Sequence, residues 1–381
     1  MIETNFKHTD IGPIPHDWEV KRLGDIMDIK SGDSITGDSF LINGKFPVYG
    51  GNGIRGHVNQ WNICGRYILI GRVGALCGNI HITSGKAFAS EHALVCHPNC
   101  KYNADFLSPI LRGMNLGQYS GASAQPVLAA GKLSKLQICF PPVEEQEAIG
   151  KALSDIDGLI DVLRKLIEKK RNIKQGAMSR LLSGSLRLPG FNKPWKTNLL
   201  SDVASYGNVP LPSDMFDAKN YVCTENMISN RGGIIPYDDY VCSYMVKSYV
   251  PYDILISNIR PYLKKIWFAD CSGGVSADVL VVRSNYDIIN AKFLYTILSH
   301  DKFFSYNMEG IAGTKMPRGN KRHIMNYEFI MPTDLAEQEA IAKVLTDMDS
   351  EIENLEKKLA KYEQVKQGMM KQLLTGKIRL I

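Results

Sequence analysis

The stretch Glu145–Leu188 occurs a second time as Glu337–Leu380, without a gap and at a constant offset of 192. Gln146-Glu147-Ala148-Ile149 returns as Gln338-Glu339-Ala340-Ile341, and Lys174-Gln175-Gly176 as Lys366-Gln367-Gly368. Leu181-Leu182 and Gly184 return as Leu373-Leu374 and Gly376. A period this long marks a duplicated half, not a solenoid. Each copy also carries one apolar seam with alternating steps of three and four. It runs through Leu153, Ile156, Ile160, Leu163 and Ile167 in the first copy, and Leu345, Met348, Ile352, Leu355 and Leu359 in the second. With Glu/Lys-rich flanks this is a heptad pattern. It predicts two helices of about 40 residues, each roughly 60 Å long at ~1.5 Å per residue. A helix of this kind needs a partner face, and the other copy is the obvious one.

The rest of the chain is duplicated more loosely. From residue 25 to about Leu94, short β-rich runs alternate with glycine turns: FPVY (46–49), RYILIG (66–71) and HALVC (92–96). A helix is expected over Ala104–Met114 with Asn103 as its cap, then a strand over Lys135–Phe140 stopped by Pro141-Pro142. After the linker Leu188-Pro189-Gly190-Phe191 the pattern repeats. Trp195 stands for Trp18 at offset 177, Ile254-Leu255-Ile256 for Ile68-Leu69-Ile70 at 186, and Asn290-Ala291 for Asn103-Ala104 at 187. The offset grows stepwise, as insertions in surface loops would make it. The helices have stayed alike while the globular parts have diverged, so the helices answer to one shared constraint and the globular parts to two.

The expected fold is therefore α/β in the broad sense and α+β in detail. Two globular domains with mixed or antiparallel strands are joined and separated by two long helices packed as an antiparallel coiled coil, with pseudo-twofold symmetry. The boundaries read 1–143, 144–188, 189–334 and 335–381. At 381 residues there is ample material for two cores. The formal net charge of +6 is mildly basic and suits local contact with nucleic acid. Eight cysteines without a CxxC pair, and no signal peptide before them, suit a cytoplasmic protein with reduced thiols. No apolar run reaches the ~18 residues of a membrane span, so no membrane association is expected.

Candidate chemistry is sparse. Cys96-His97-Pro98-Asn99-Cys100, near His92, lacks four ligands at zinc spacing, and no metal is expected. Gly51-Asn52-Gly53-Ile54-Arg55-Gly56 matches GxGxxG, but His57-Val58-Asn59 is a poor helix start, so a glycine-rich turn is the expectation. No phosphate loop, nucleophile elbow or triad arrangement is present, and no catalytic residue is assigned. Basic, amide and aromatic residues do mix in both globular parts. The first has Tyr49, Asn52, Arg55, Arg66 and Arg72 close to glycines. The second has Asn258, Arg260, Tyr262, Lys264 and Lys265, and a loop with Lys315, Arg318, Lys321, Arg322 and His323. Such residues bind phosphates and base edges, although a solvated basic loop accounts equally well for any one of them. On the helices, Lys174 and Lys366 occupy equivalent seam positions, where setting register or snorkelling outranks reaching a phosphate. Gly176 and Gly368 each cost about 1 kcal/mol against Ala, and their repetition predicts close backbone approach at a crossing.

These features together resemble the specificity subunit of Type I restriction–modification enzymes. The resemblance rests on Ile14-Pro15 with Trp18-Glu19, on residues 47–53 (PVYGGNG) and on Ile70-Gly71-Arg72-Val73-Gly74. It also rests on residues 141–147 (PPVEEQE), Lys366-Gln367-Gly368-Met369-Met370 and Leu373–Leu380. It implies two target recognition domains, each reading one half of a split, non-palindromic sequence in double-stranded DNA, with the helices as spacer. It implies a non-catalytic subunit that binds two methyltransferase subunits, with restriction subunits joining through them. S-adenosylmethionine, ATP and Mg would then belong to those partners, with no cofactor in this chain. The second domain departs from the pattern in lacking the Tyr-Gly-Gly-Asn-Gly run. A coiled-coil scaffold with two ligand-binding domains is the competing expectation, and a glycine-loop enzyme a weaker third.

Overall fold

The computed structural model describes residues 5–121, 126–239, 243–311 and 317–380. They form two compact units, Met1–Lys165 with Lys357–Ile381, and Leu166–Glu356. The long helices span Val143–Leu182 and Leu335–Leu373, so each contributes one part to each unit. Among the described residues no helix is long and apolar enough to cross a membrane.

In the first unit, one antiparallel sheet runs Met27–Ser31, Ala93–Pro98, Ile68–Gly71, Ile80–Ile82 in spatial order. A second runs Gly53–Val58, Phe46–Gly50, Lys86–Ala89, Ile63–Cys64, with one parallel pairing. The entering strand Glu19–Arg22 pairs with the leaving strand Gln137–Phe140 and closes the globular part. The helix Ala104–Gly113 is capped by Asn103, whose side chain accepts from the Asp105 and Phe106 amides. The first long helix lays Ile149 and Leu153 into a core with Trp18, Ile68, Leu94, Phe106 and Leu107, and Leu373 of the second joins the same core. Fully burying one such side chain stabilises by about 1.5–3 kcal/mol, so this contact is what attaches the globular part to both helices.

The second unit repeats this plan. Its antiparallel sheet runs Ala204–Tyr206, Val279–Ser284, Ile254–Ser257, Ile266–Phe268. The other runs Pro210–Pro212, Met245–Tyr249, Gly273–Val275, Tyr221–Val222, again with one parallel pairing. Trp195–Leu199 pairs with Glu328–Pro332 as entry and exit. Met178, Leu181, Ile341 and Leu345 from the long helices share a core with Ile254, Leu280 and Phe293.

Within each unit the helical segments run antiparallel. Asp157 pairs with Lys366 and Arg164 with Glu363 in the first. Lys170 pairs with Glu351, Arg171 with Glu356 and Lys174 with Asp349 in the second. Leu153, Ile156, Ile160, Leu163 and Ile167 are buried along the seam, as are Leu345 and Ile352. Met348, Leu355 and Leu359 are only half-buried. Lys174 and Lys366 are committed to carboxylates, which fixes register at those points. The expectation for Gly176 and Gly368 is corrected: a Cβ on either would meet no atom within 4 Å. No backbone approaches them, so the glycines leave open helix surface.

Candidate nucleic-acid interface

In the first unit, the strands Phe46–Gly50 and Gly53–Val58 form a hairpin whose turn carries Gly51 and Asn52. Gly53 takes a φ of +87° there, and no helix opens after it, so this glycine run is a turn and not a phosphate cradle. Beside the hairpin is a cleft of about 420 Å³ lined by Gly51, Asn52, Arg55, Val73, Ala75, Leu76 and His92. The Asn52 side-chain oxygen accepts from Asn79 Nδ2 at 2.8 Å, which orients the amide. The exposed Arg55 lies 5.8 Å from the Phe40 ring centroid, so its guanidinium is held over an aromatic face while open to solvent.

The structure brings together only part of the set expected in this unit. Asn52 and Arg55 share the cleft. Arg72 lies outside the cleft lining: its amide donates to His92 O and its Nη1 to Ser31 Oγ, both at 2.9 Å. Arg66 is paired with Asp105 at the start of the helix Ala104–Gly113. Tyr49 packs half-buried against Ile63 and Leu69. Arg66 is thus exposed but ion-paired, and Tyr49 is shared between the surface and a small core. His92, Val73 and Leu76 are lining residues that pattern reading missed. His81 is another addition: its ring lies 3.1 Å from where a Cβ on Gly53 would be, and burial, then Arg112, lowers its pKa. The strand that places it, Ile80–Ile82, is too short to show alternation.

In the second unit, the corresponding loop follows Ile254–Ser257. In each unit this loop is tied to the segment before a short helix by the same backbone bonds. Gly74 N donates to Pro126 O at 3.0 Å and Leu128 N to Arg72 O at 2.8 Å. Arg260 N donates to Pro317 O and Gly319 N to Asn258 O, both at 2.9 Å. Isolated bridges Val73–Val127 and Ile259–Arg318 complete each tie.

Several of the second unit's expected contacts are spoken for. Lys264 Nζ donates to Asp301 Oδ1 at 2.7 Å and Lys265 Nζ to Thr224 O at 2.6 Å. Arg318 pairs with Asp278 at 3.1 Å. Asn258 is buried, its Oδ1 beneath Gly319 and without a partner, so it is corrected from a surface contact to an interior one. Lys315 lies outside the described residues. Arg260, Lys321 and Arg322 are exposed and make no ion pair among the described residues, and Tyr262 is 51% exposed. Asn320 caps the helix Lys321–Met325, accepting from the Arg322 and His323 amides, which fixes how that helix is presented. The partly buried His323 ring is stacked on Tyr306 at 4.0 Å, and its Nε2 lies 2.9 Å from Tyr306 O. Burial lowers the Lys247 pKa, and the nearby Lys321 charge lowers it further.

Among the described residues, no three His, Cys, Asp or Glu side chains form a group that could hold a metal ion. Cys96 is wholly buried and its thiol is pushed up to about 12 by that burial. Such a thiol is inert and structural.

The family described as the type I restriction modification DNA specificity domain matches residues 15–170 and again 192–364. The chain is 38% identical over 154 residues to the EcoprrI type I restriction enzyme specificity subunit of Escherichia coli, which spans 39% of this chain and 38% of that protein. It is 25% identical over 419 residues to the MjaVIII specificity subunit of Methanocaldococcus jannaschii, covering 99% of this chain and 97% of that one. Its fold is similar to the S subunit of a type I restriction–modification system from M. genitalium, with a TM-score of 0.68 at 15% identity over 98% of this chain and 97% of that one. With the family matched in both halves, the chain belongs to the type I restriction–modification DNA specificity family.

Proposed function

We propose that this chain reads a bipartite, non-palindromic DNA sequence, one half-site per globular part. It does so as the non-catalytic subunit of a cytoplasmic complex with two methyltransferase subunits, to which restriction subunits join. The observation that carries this reading is the double family match laid over unequal divergence. The DNA specificity domain occurs twice, yet the long helices repeat without a gap while the loops of the two globular parts carry different cations. Two unlike readers on equivalent helices suit a split site whose halves differ. Two equivalent helix surfaces suit two copies of one partner. S-adenosylmethionine, ATP and Mg are assigned to those partners. The few open cations per unit suit a reader whose affinity depends on the partners' grip, since each phosphate contact adds only one increment of counterion release.

The test is to map methylated bases in the DNA of cells carrying this chain with its methyltransferase partner. One split sequence with two fixed, different halves is the expected result. Methylation without sequence preference, or of one continuous palindrome, would sink the proposal.

A further inference from the structure

The two units build the same turn at the same point and differ in what it carries. After Ile68–Gly71, the first unit adopts left-handed backbone at Gly74 (φ +94°) and Gly78 (φ +90°). After Ile254–Ser257, the second adopts it at Arg260 (φ +49°) and Lys264 (φ +50°). Both positions stand at offset 186, the offset of the strands themselves. Cys77 N donates to Gly74 O at 3.0 Å, and Leu263 N to Arg260 O at 2.9 Å. Glycine enters this backbone region freely, whereas a residue with a Cβ is strained there. The first unit shows that glycine serves this turn, and the second uses it at neither position.

The two strained residues differ in what holds them. Lys264 is anchored within its unit by Asp301, which also takes Arg231. Arg260 has no such anchor: its side chain is exposed and makes no hydrogen bond or ion pair among the described residues. Pro261 beside it is buried, and Tyr262 next along is half-exposed. Strain of this kind persists only where the surrounding structure holds the residue, and it clusters at functional sites. In the first unit the equivalent loop, with Val73, Ala75 and Leu76, lines the cleft that also holds Asn52 and Arg55.

We infer that Arg260 is a specificity-determining residue of the second unit, presenting its guanidinium fork to a guanine edge of that unit's half-site, with Tyr262 beside it. This rests on the DNA-reading function proposed above. The fork matches the O6 and N7 acceptors of guanine, and a turn closed by Pro261 and the Pro317 tie presents it rigidly. Lys321 and Arg322, also without an ion pair among the described residues, sit on ordinary helical backbone and act as phosphate contacts.

The experiment selects bound duplexes from a sequence-randomised pool, using the full chain assembled with its methyltransferase partner. Wild type, Arg260→Gly and Arg260→Asn are compared, and thermal unfolding is recorded for each full chain. Asparagine tolerates left-handed backbone and is uncharged, so it keeps the turn without the fork. Both variants should unfold at the wild-type temperature or a few degrees above it. Preference for one G·C pair in one half-site should fall about ten- to a hundredfold, with the other half-site unchanged. Unchanged preference in both half-sites overturns the inference. So does an equal loss on selected and random duplex with a shallower salt dependence, which is the signature of a phosphate contact. Lower unfolding temperatures in both variants also overturn it, since Arg260 would then be structural. A wild-type complex that selects no sequence defeats the DNA-reading proposal itself, and is told apart because the failure precedes any substitution.

Discussion

Two carboxylates, Glu145 and Glu337, are wholly buried at the starts of the long helices. Each is neutralised within its own unit by an arginine from the segment that follows a long helix. Arg379 donates to Glu145 at 2.6 and 2.8 Å, Trp18 Nε1 donates to it at 2.8 Å, and Arg379 also takes Asp17 at 2.6 and 2.9 Å. Arg187 donates to Glu337 at 2.9 and 2.6 Å. Removing one member of a buried pair leaves an uncompensated charge. Arg379→Ala should therefore destabilise the first unit by about 3 kcal/mol, and Arg379→Lys should recover only part, because an ammonium cannot supply the fork. Denaturant unfolding checks this, and a change within a few tenths would show that the pair contributes little. Asp301 supplies a pH prediction in the second unit. Lys264 first, and Arg231 after it, hold its carboxyl down at about 2, against an ordinary value of 3.8. A depressed folded pKa means the stabilisation is present above the ordinary value and is lost as pH falls from about 4 towards 2. Asp301→Asn should flatten that limb of the stability–pH curve, and an identical curve would contradict the linkage.

At the scale of elements, the glycines of the long helices make the sharpest prediction. Gly176 and Gly368 lie inside helix with open space around them, so Ala adds helix propensity and meets nothing. Gly176→Ala and Gly368→Ala should each stabilise by up to about 1 kcal/mol, read by thermal or denaturant unfolding. A loss of stability would restore the close approach that their repetition had suggested. That suggestion shows where sequence pattern stops: a repeated glycine is visible in the chain, but whether another backbone passes it is set by three-dimensional packing. The seam from Leu153 to Ile167 was legible because a 3.5-residue period has one structural meaning. The Asn103 cap was legible because a side-chain oxygen before a helix has one available donor set. The contact residues were less so. Arg66 and Arg260 look alike in sequence, and only tertiary structure shows that Asp105 pairs with the one while the other is exposed without an ion pair among the described residues. The repeated Gln146 and Gln338 are explained only by the structure. Each accepts from the amide of a capping asparagine, Asn103 at 3.0 Å and Asn290 at 2.8 Å, and donates to a proline carbonyl, Pro141 and Pro332, at 2.9 Å. The most faithful part of the repeat thus fastens a globular part to its helix.

At the scale of the whole molecule, the spacer role that the family resemblance implies for the long helices yields a prediction with a built-in control. An insertion of about four residues after Lys169 would lengthen one helix by ~6 Å and turn it by roughly 40° off the seam. It would also separate Lys170 and Lys174 from Glu351 and Asp349 on one helix only. Such a variant should lose methylation or alter its spacing, and unchanged methylation of the same site would contradict a spacer role. Loss alone, however, does not separate a ruler from a merely structural strut. A matched insertion does: one heptad after Lys169 and one heptad after Glu353, which face each other in the antiparallel register that the Lys170–Glu351 and Lys174–Asp349 pairs define. A whole heptad restores the apolar seam, and both helices lengthen by roughly 10 Å. If the helices set the gap between half-sites, methylation should return on a sequence with the same two halves and about three more base pairs between them, given ~3.4 Å per base pair. Recovery on the original spacing would mean that the helices hold the two readers without measuring the distance between their half-sites.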